Sequence, residues 1–335
     1  MKCAVVILNW NGASMLRQFL GGVVDSLPEW ARVVVVDNGS QDESREVVKG
    51  EFRGVELICH DKNYGFAEGY NRALELLDDE YVVLLNSDVE VTKGWLEPLI
   101  AELESDSRIG AVAPKLLSQR NRDEFEYAGA SGGFIDYLGY PFCRGRILKC
   151  LERDEGQYDD SRELFWVSGA AFCCRRLSFL EIGGFDREFF AHMEEIDLSW
   201  RMQLAGLSIR VVPQSVVYHV GAATLSVDSP FKTYLNHRNN LAMLYKNAPA
   251  MQRVVVAVVR PFTDLAAAMS YLLQGHFGAF SAVWRAWWDF LKWHGRLAKR
   301  REEIRKNVVQ ESKYIYRGSI LLRYIFGGRK FGNLM

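Results

Sequence analysis

The sequence contains few cysteines, and none of them is arranged for pairing. Its six cysteines include no C-x-x-C motif, and the adjacent Cys173 and Cys174 cannot bridge each other without strain. The pattern therefore does not indicate a disulfide framework or a cysteine metal centre. We expect all six to be reduced residues of the core.

No secretory leader, fixed-period repeat or low-complexity tract is evident either. Met1–Leu8 is a short apolar run with one lysine, and the polar Asn9 and Asn11 follow it at once. A cytoplasmic location is therefore expected. The alternative location, suggested by the C-terminal segment, is the inner face of the cytoplasmic membrane.

The composition is that of an ordinary globular protein. Of the 335 residues, 49% are apolar and 25% are charged, so disorder is not expected. The net charge of −1 conceals an uneven distribution, because the last fifty residues are dominated by Lys and Arg. This asymmetry predicts an anionic surface as a partner near the C-terminus, and no nucleic-acid partner is expected.

Short β-branched runs alternate with amphipathic, helix-length stretches through residues 1–110. The runs are apolar on both faces, which is typical of a mainly parallel sheet covered by helices. The sequence therefore predicts an α/β fold with a Rossmann-like sheet. The predicted strands are Ala4–Leu8, Arg32–Val36, Val55–Cys59 and Tyr81–Leu85, and the predicted helices are Ala13–Asp25, Ser44–Gly50 and Phe66–Leu77.

Small polar residues follow three of these strands, at the edge where such sheets bind ligands. The three segments are Asn9-Trp10-Asn11-Gly12, Asp37-Asn38-Gly39-Ser40 and Asn86-Ser87-Asp88. The first lacks G-x-G-x-x-G, which disfavours a dinucleotide oxidoreductase. It also lacks the Gly-rich loop with Arg or Lys that a sugar-nucleotide pyrophosphorylase would need.

Asp88 is the candidate metal ligand. A carboxylate at the end of a strand can hold Mg²⁺ or Mn²⁺, and such an ion neutralises the charge on a departing diphosphate. The alternative is that Asp88 only caps the turn after its strand, as Asx residues often do. The sequence alone leaves these two roles at even odds.

Asp37 is placed where its carboxylate could accept the N3–H of a uracil or thymine ring, although an Asx-turn is the simpler role. Further along, the segment from Lys62 to Arg72 sets two glycines and an arginine around the start of a helix. Its N–H groups or the Arg72 guanidinium could face a nucleotide. A packed loop with a surface arginine is the alternative.

The second half of the predicted domain is less regular. Residues 111–165 suggest an antiparallel excursion or long loops over the site. After them, the sequence predicts a strand that meets a small-residue turn within Phe165–Ala171, a helix from Glu194 to Leu204, and two strands at Ser208–Val212 and Ser215–Val220.

Three acids within four residues open the helix at Glu194. Glu194, Glu195 and Asp197 could simply match the helix dipole, with Asp197 paired to Arg201. Crowded carboxylates can also raise one pKa, and such a group can act as a general base. His219, at the end of the last strand, is either a metal ligand or a core histidine.

The chain changes character after Pro249, and the region Pro249–Pro261 suggests a boundary. Leu265–Trp284 contains no Asp, Glu, Lys or Arg over twenty residues, which meets the length of a membrane span. Tryptophans beside basic residues follow it and suit an interfacial helix on anionic lipid. A helical hairpin packed on the catalytic domain is the alternative.

Taken together in order and spacing, these motifs resemble glycosyltransferase family 2, the inverting GT-A enzymes, and especially its bacterial rhamnosyltransferase-like branch. The resemblance runs from Val5 to about Asn247. The segments that carry it are Val6–Gly12, Val36–Asp42, Asn63–Asn71, Leu84–Asp88, Ser168–Ala170, Gly183–Asp186, Glu194–Asp197 and Tyr218-His219.

The resemblance implies a GT-A catalytic domain over residues 1–247, divided into a nucleotide-binding half (1–110) and an acceptor and catalytic half (111–247). Residues 248–335 would then be a helical, basic and aromatic extension. It also implies a set of binding residues. They are Asn9, Asn11, Asp37, Asn38, Asn63, Arg72, Asn86 and Asp88 for the nucleotide sugar, Trp166, Gly169 and Ala170 for the sugar or acceptor, and Asp88 with His219 for the metal.

The resemblance further implies that Glu195 is the general base, with Glu194 as the other candidate and Asp197 in the same cluster. Asn86 departs from the family's D-x-D pattern, which leaves fewer carboxylates for Mg²⁺ or Mn²⁺ and favours His219 as a further ligand. The implied activity is transfer of a sugar from a UDP- or dTDP-sugar to a hydroxyl of a glycan or lipid-linked acceptor, in the synthesis of bacterial surface polysaccharide. A non-catalytic binding or assembly protein is the alternative.

Overall fold

The computed structural model describes residues 2–221, 229–332 and 334–335. The strands are β1 Cys3–Asn9, β2 Ala31–Asp37, β3 Glu56–Cys59, β4 Tyr81–Asn86, β5 Val89–Val91, β6 Ile109–Ser118, β7 Gly133–Asp136, β8 Pro141–Cys143, β9 Arg146–Ile147, β10 Cys150–Leu151, β11 Arg162–Glu163, β12 Ala171–Arg175, β13 Ser208–His219 and β14 Ile315–Tyr316. The helices are α1 (Ala13–Met15, continued by Leu16–Leu20 and Gly21–Asp25), α2 Ser44–Glu51, α3 Gly65–Glu75, α4 Leu96–Ser105, α5 Arg176–Glu181, α6 Glu194–Leu204, α7 Pro230–Asn247, α8 Ala250–Leu273, α9 Phe277–Lys306 and α10 Ile320–Ile325.

The first half of the main sheet is parallel, as the sequence predicts, with the strand order β4-β1-β2-β3. The register pairs Asn9 with Asp37 and Leu8 with Asn86. The three polar strand ends therefore meet at one edge of the sheet. Helices bury both faces, and the strand residues between these ends are almost all inaccessible.

The second half of the sheet joins the first through β12, which is antiparallel to β4. The sheet then continues through β6, β13 and β11, and the short β5 pairs with the end of β13. Within Phe165–Ala171, the predicted small-residue turn is present at Gly169-Ala170. The strand predicted before it is wrong, because Trp166 forms only an isolated bridge with Gly133 and regular pairing begins at Ala171. The two strands predicted within 208–220 form one strand with a register shift between Val212 and Val216. Pro213 lies in that shift, and a proline cannot donate to the ladder.

The irregular region after β6 forms a second, small sheet in the order β10-β9-β8-β7-β14. Its strands from β7 to β10 are antiparallel, as the predicted excursion requires. The fifth strand, β14, comes from the C-terminal segment and pairs in parallel with β7. Nearby, the N–H of Ile320 donates to Asp136 at 2.9 Å, and the ring of Phe331 stacks on Phe134. Residues near the C-terminus thus complete the core of the preceding region, and the division at 247/248 stays a prediction.

Two long helices, α8 and α9, form a hairpin with its turn at Gln274–His276. The uncharged run Leu265–Trp284 therefore bends in the middle and is not one continuous helix, and the helical hairpin given as the alternative matches this arrangement. Pro261 lies inside α8 rather than at a boundary. α8 is nevertheless long and apolar enough to cross a membrane by length and composition.

All six cysteines lie in the described part of the chain, and all are free thiols. Four of them are buried, while Cys150 is half-buried and Cys59 is exposed. The predicted reduced state is consistent with this arrangement. The prediction that all six lie in the core is wrong for Cys59, because β3 is the edge strand of the sheet.

Candidate active site

Hydrogen bonds join the loops after β1 and β2 into one rigid rim. Ser40 Oγ accepts the N–H of Asn11 at 3.0 Å, and Asn11 Oδ1 accepts the N–H of Gln41 at 2.8 Å. Asp42 accepts the N–H of Ala13 at 3.0 Å, which satisfies a donor at the start of α1. Asn11 therefore has a structural role in the rim, with a backbone φ of 51°.

Asp37 is buried in this rim, and one of its oxygens is already bound. Its Oδ2 accepts from Arg45 Nε at 2.6 Å and from the N–H of Ser40 at 3.2 Å. Its Oδ1 is buried without a hydrogen-bond partner among the described residues. An unpaired buried acceptor costs about 1–3 kcal/mol, so this atom is suited to a donor on a ligand. Asn9 Oδ1 is unpaired in the same way.

The sequence pattern did not indicate Arg45 as a residue of this rim. It pairs with Asp37, whereas Arg72 lies elsewhere on the surface. The Arg72 guanidinium stacks on the Tyr64 ring at 3.9 Å from its centroid and donates to Glu68 at 3.0 Å. The nucleotide contact of Arg72 stays a prediction.

Asn38 and Asn63 connect the second loop to the start of α3. The Nδ2 of Asn38 donates to Asn63 Oδ1 at 3.1 Å and to the carbonyl of Gly65 at 3.0 Å, and its Oδ1 accepts the N–H of Tyr64 at 3.1 Å. Asn63 Oδ1 also accepts the N–H of Gly65 at 2.8 Å. Both amides are therefore used in holding the backbone, and their predicted nucleotide contact is untested.

The predicted metal ligands Asp88 and His219 are brought together by the pairing of β5 with β13. Asp88 Oδ1 lies 3.1 Å from His219 Nε2, and both side chains are buried. The Nδ2 of Asn86 lies 3.4 Å from the same ring nitrogen. His219 is 131 positions from Asp88 and 133 from Asn86 in the chain, and the sheet makes them neighbours.

Glu126 is a further member of this cluster that the sequence did not indicate. Its Oε1 lies 3.3 Å from His219 Nδ1, on the opposite edge of the ring from Asp88. Burial opposes a charge on the imidazole, but the contacts with Asp88 and Glu126 prevail and raise the pKa of His219 to about 10. A carboxylate behind a histidine is the arrangement that orients metal-binding imidazoles.

Asp88 and His219 supply a carboxylate oxygen and an imidazole nitrogen, which are donor types that divalent cations bind. The two atoms are 3.1 Å apart, a hydrogen-bond distance, so an ion would bind there in place of the proton between them. In the described ranges, no group of three or more His, Cys, Asp or Glu side chains is placed to hold a metal. The remaining positions would therefore belong to substrate oxygens or water, as is usual for Mg²⁺.

The two glutamates at the start of α6 have carboxyl groups suited to proton transfer. Glu194 is buried and Glu195 is half-buried, and within the described ranges the Oε2 of each has no hydrogen-bond partner. Burial raises the pKa of Glu195 to about 7. Burial and the neighbouring charge of Glu195 raise the pKa of Glu194 well above its usual range. At neutral pH, Glu195 is thus the member of the pair that can be ionised.

The turn before these glutamates has a strained backbone. Phe190, His192 and Met193 have φ angles of 66°, 68° and 71°, and each such residue costs about 1–3 kcal/mol. The Nδ2 of Asn239 on α7 lies within 3.0 Å of three carbonyl oxygens of this segment, those of Phe189, Ala191 and His192. Asn239 therefore holds the turn that presents the glutamates.

Asp197, predicted as part of the catalytic cluster, has a structural role instead. Its Oδ2 accepts from Arg201 at 2.9 Å, the pairing predicted from their spacing. Its Oδ1 accepts from Lys246 at 3.0 Å and from Asn247 at 2.8 Å. Both oxygens of this fully buried side chain are occupied, so it fastens α6 to α7 and is not placed to react.

Gly169 and Ala170 connect the metal pair to the glutamates. The N–H of Asn86 donates to the carbonyl of Ala170 at 3.0 Å. A Cβ built on Gly169 would lie 3.8 Å from the Cβ of Glu195. The dipeptide therefore contacts Asn86, whose side-chain amide lies 3.4 Å from His219 Nε2, and it packs against Glu195. Trp166 is buried and donates to the carbonyl of Phe134 at 3.0 Å, which does not favour the predicted sugar contact.

The region that contains these strand ends also matches the sequence profile of a known family. The sequence profile described as glycosyl transferase family 2 matches residues 4–175, from β1 to the end of β12. The chain belongs to this family. It is a glycosyltransferase, and the predicted family resemblance is confirmed.

This family 2 glycosyltransferase is similar to N-acetylglucosaminyl-diphospho-decaprenol L-rhamnosyltransferase of Mycobacterium tuberculosis. The two are 26% identical over 258 residues, which are 72% of this chain and 83% of the relative. The bacterial rhamnosyltransferase-like branch predicted from the motifs is consistent with this relative.

Two solved structures of GT-A glycosyltransferases share the fold. GalNAc-T7, solved with UDP, GalNAc and Mn²⁺, superposes with a TM-score of 0.62 at 18% identity, covering 78% of this chain and 50% of that one. The mannosyltransferase PcManGT of Pyrobaculum calidifontis, solved with GDP-Man and Mn²⁺, gives a TM-score of 0.55 at 16% identity, covering 91% and 86%. The predicted GT-A fold is confirmed.

Proposed function

We propose that this glycosyltransferase moves a sugar from a nucleotide diphosphate donor to an acceptor hydroxyl in a single displacement that inverts the anomeric carbon. One observation carries the proposal. Asn86, whose side-chain amide lies 3.4 Å from His219 Nε2, donates its N–H to Ala170, and Glu195 packs against the adjacent Gly169. A diphosphate held at Asp88 and His219 and an acceptor hydroxyl held at Glu195 would have the sugar between them.

The nucleotide would lie along the rim made by the loops after β1 and β2. The free Oδ1 of buried Asp37 can accept the N3–H of a uracil or thymine ring, and Arg45 holds the other oxygen of that carboxyl. A UDP- or dTDP-sugar is therefore the proposed donor. The similar GalNAc-T7 structure contains UDP, whereas PcManGT was solved with GDP-Man.

Asp88 and His219 would hold Mg²⁺ or Mn²⁺. Bound there, the ion would stabilise the negative charge that develops on the diphosphate as it leaves. Glu126 would keep the imidazole oriented from its far edge. The presence of Mn²⁺ in both similar structures supports this proposal.

Glu195 would accept the proton of the acceptor hydroxyl. Its pKa of about 7 leaves a substantial ionised fraction at neutral pH, and such a base is well matched to its task. Glu194, with the more strongly raised pKa, would remain protonated beside it. Because one displacement transfers the sugar, its anomeric configuration inverts.

The acceptor would be a glycan or a lipid-linked glycan of bacterial surface polysaccharide. The support for this is that the mycobacterial relative is named for a decaprenol-linked substrate. The peptide of Gly169 and Ala170, which lacks large side chains beside Glu195, would leave room for the sugar and the incoming hydroxyl. The enzyme would work in the cytoplasm, at the inner face of the membrane.

Replacing Glu195 by Gln tests the proposed base. We expect transfer to fall by about 10² to 10⁴-fold, the usual contribution of a general base, while donor binding is kept. Release of UDP or dTDP from a panel of donors measures the rate, and Glu181→Gln is the matched control at an exposed helical site. Equal turnover in wild type and Glu195→Gln would remove Glu195 as the base. Donor binding without turnover by the wild type would support a non-catalytic nucleotide-sugar-binding protein.

A further inference from the structure

Helix α8 has its polar residues on the inside and its apolar residues on the outside. Gln252, Arg260 and Asp264, spaced by multiples of four, are buried against the protein. The exposed large side chains of α8 are Met251, Val254, Val258, Phe262, Leu265, Met269 and Leu273. A helix on the surface of a globular protein normally presents the opposite pattern.

A buried polar network fixes α8 in this orientation. Arg260 donates to the carbonyl of Leu138 at 2.9 Å and to Asn240 Oδ1 at 2.5 Å, and it pairs with Asp264. Asp264 also accepts from Trp287 Nε1 of α9 at 3.0 Å. Rotating the helix to bury its apolar face would break these bonds and leave buried polar groups without partners, which costs about 1–3 kcal/mol for each group. The network therefore keeps the apolar face on the surface.

Helix α9 extends the same kind of surface. Phe277, Trp284, Trp288 and Leu291 are exposed along it, and the Lys292 ammonium lies 5.1 Å from the Trp288 ring centroid. A groove of about 320 Å³ separates the two helices, and it is lined mainly by Pro261, Leu265, Trp284, Trp287, Trp288 and Leu291. Tryptophan beside lysine at the edge of an apolar face is typical of a membrane interface.

The charge of this part of the chain complements an anionic lipid surface. Residues 248–335 contain 15 Lys and Arg against 5 Asp and Glu, whereas residues 1–247 contain 26 against 37. Arg285 and Lys299 of α9 are exposed. Each cation near an anionic bilayer contributes about 1 kcal/mol of binding. A mixed apolar and basic surface of this kind favours lipid over a second protein chain.

We propose that the α8–α9 hairpin is a membrane-docking surface that lies in the plane of an anionic bilayer, with the outward side chains of both helices in the boundary between headgroups and acyl chains. Its buried face is bound to the protein body, so α8 lies along the membrane rather than across it. Ala282 and Ala286 of α9 pack with Phe190 and Ala191, just before the catalytic glutamates. The hairpin thereby brings the cleft to the lipid surface, a consequence that rests on the proposed function.

Vesicle co-sedimentation with the full chain tests the docking surface. We expect wild-type protein to sediment with phosphatidylglycerol-containing vesicles. The double variant Val258→Asp/Phe262→Asp should bind at least about tenfold less, because two apolar side chains lose their burial. The matched control is Leu76→Asp/Leu177→Asp, since these leucines are 68% and 60% exposed against 60% and 70% for Val258 and Phe262. Donor hydrolysis measured in water should be the same in all three proteins, so a loss of docking is distinguished from a failure of the proposed chemistry.

Quenching by brominated lipids tests the orientation. Lipids brominated near the headgroup should quench tryptophan fluorescence more than lipids brominated near the chain end, and Trp284→Phe/Trp288→Phe should remove the difference. Stronger quenching by the deep label would overturn the in-plane orientation. Absence of wild-type binding to anionic vesicles would overturn the docking surface. A wild-type dimer that the Val258→Asp/Phe262→Asp substitutions dissociate would also overturn the docking surface, because a second copy of the chain would then cover the apolar face.

Discussion

The two halves of the active site are built in different ways. On the nucleotide side, Asn9, Asp37 and Asn86 come from the ends of neighbouring parallel strands, and the register alone places them together. In the part contributed by residues beyond 110, Glu126 and His219 come from a loop and a distant strand, and Asn239 supports the glutamates from a third element. The first half depends on local sequence, and the second depends on how distant segments pack.

The largest effect should come from the pair that links the two halves. Replacing Asp88 by Asn removes a charged ligand at the proposed metal site, and we expect turnover to fall by about 10³-fold, several kcal/mol of transition-state stabilisation. The control is Asp25→Asn, an exposed carboxylate in the same half. Turnover measured against Mn²⁺ concentration provides the readout. Unchanged turnover at every Mn²⁺ concentration would show that Asp88 only caps its turn.

Glu126→Gln tests a contact that only the packing creates. Gln keeps the shape of the side chain but removes the charge behind His219, so metal affinity should fall by about 10 to 100-fold. The Mn²⁺ concentration for half-maximal activity should rise accordingly, with a smaller change in the maximal rate at saturating metal. An unchanged Mn²⁺ requirement would contradict the orienting role of Glu126.

Asp37→Asn tests the part of the site that is formed by the ends of the parallel strands. The exchange removes the charge that Arg45 neutralises, and the Asn side chain can direct an N–H group toward the base where the carboxylate would accept. We expect donor affinity to fall by about tenfold or more, since a hydrogen bond to a charged group contributes about 1.5–3 kcal/mol. Calorimetric binding of UDP and GDP gives the measurement. Equal losses for both nucleotides would argue that Asp37 supports the rim rather than reads the base.

Asn239→Ala tests whether Asn239 holds the strained turn that precedes Glu194 and Glu195. The carbonyls of Ala191 and His192 lose the Asn239 amide as a donor, so we expect about 1–3 kcal/mol of lost stability and a lower rate at saturating sugar donor. Chemical denaturation and turnover are the measurements, and Asn239→Asp, which cannot donate, should behave like Ala. If neither variant changed the rate, the turn held by Asn239 would have no role in catalysis.

The smallest effect is on pH dependence. The folded-state pKa of Glu195 is raised to about 7 by burial. The rate should therefore rise about tenfold per pH unit up to about pH 7 and then level off. A raised carboxyl pKa adds stability that is complete below the unfolded pKa and is lost as pH rises through 7. At pH 8, Glu195→Gln should therefore be more stable than wild type by about 1–3 kcal/mol, and an equal or lower stability would contradict the buried carboxylate.

Local patterns in the sequence were enough to predict the parallel α/β half, the family and the polar strand ends, because apolar periodicity and small polar residues at strand ends are local features. The roles of Glu195 and His219 stay predictions. The pairing of Arg45 with Asp37 and the contacts by which Asp197 fastens α6 to α7 could be seen only in the folded chain. The same is true of Glu126 behind His219 and of the outward apolar face of α8. These outcomes depend on contacts between distant segments and on which face of a helix is covered, and linear spacing contains neither.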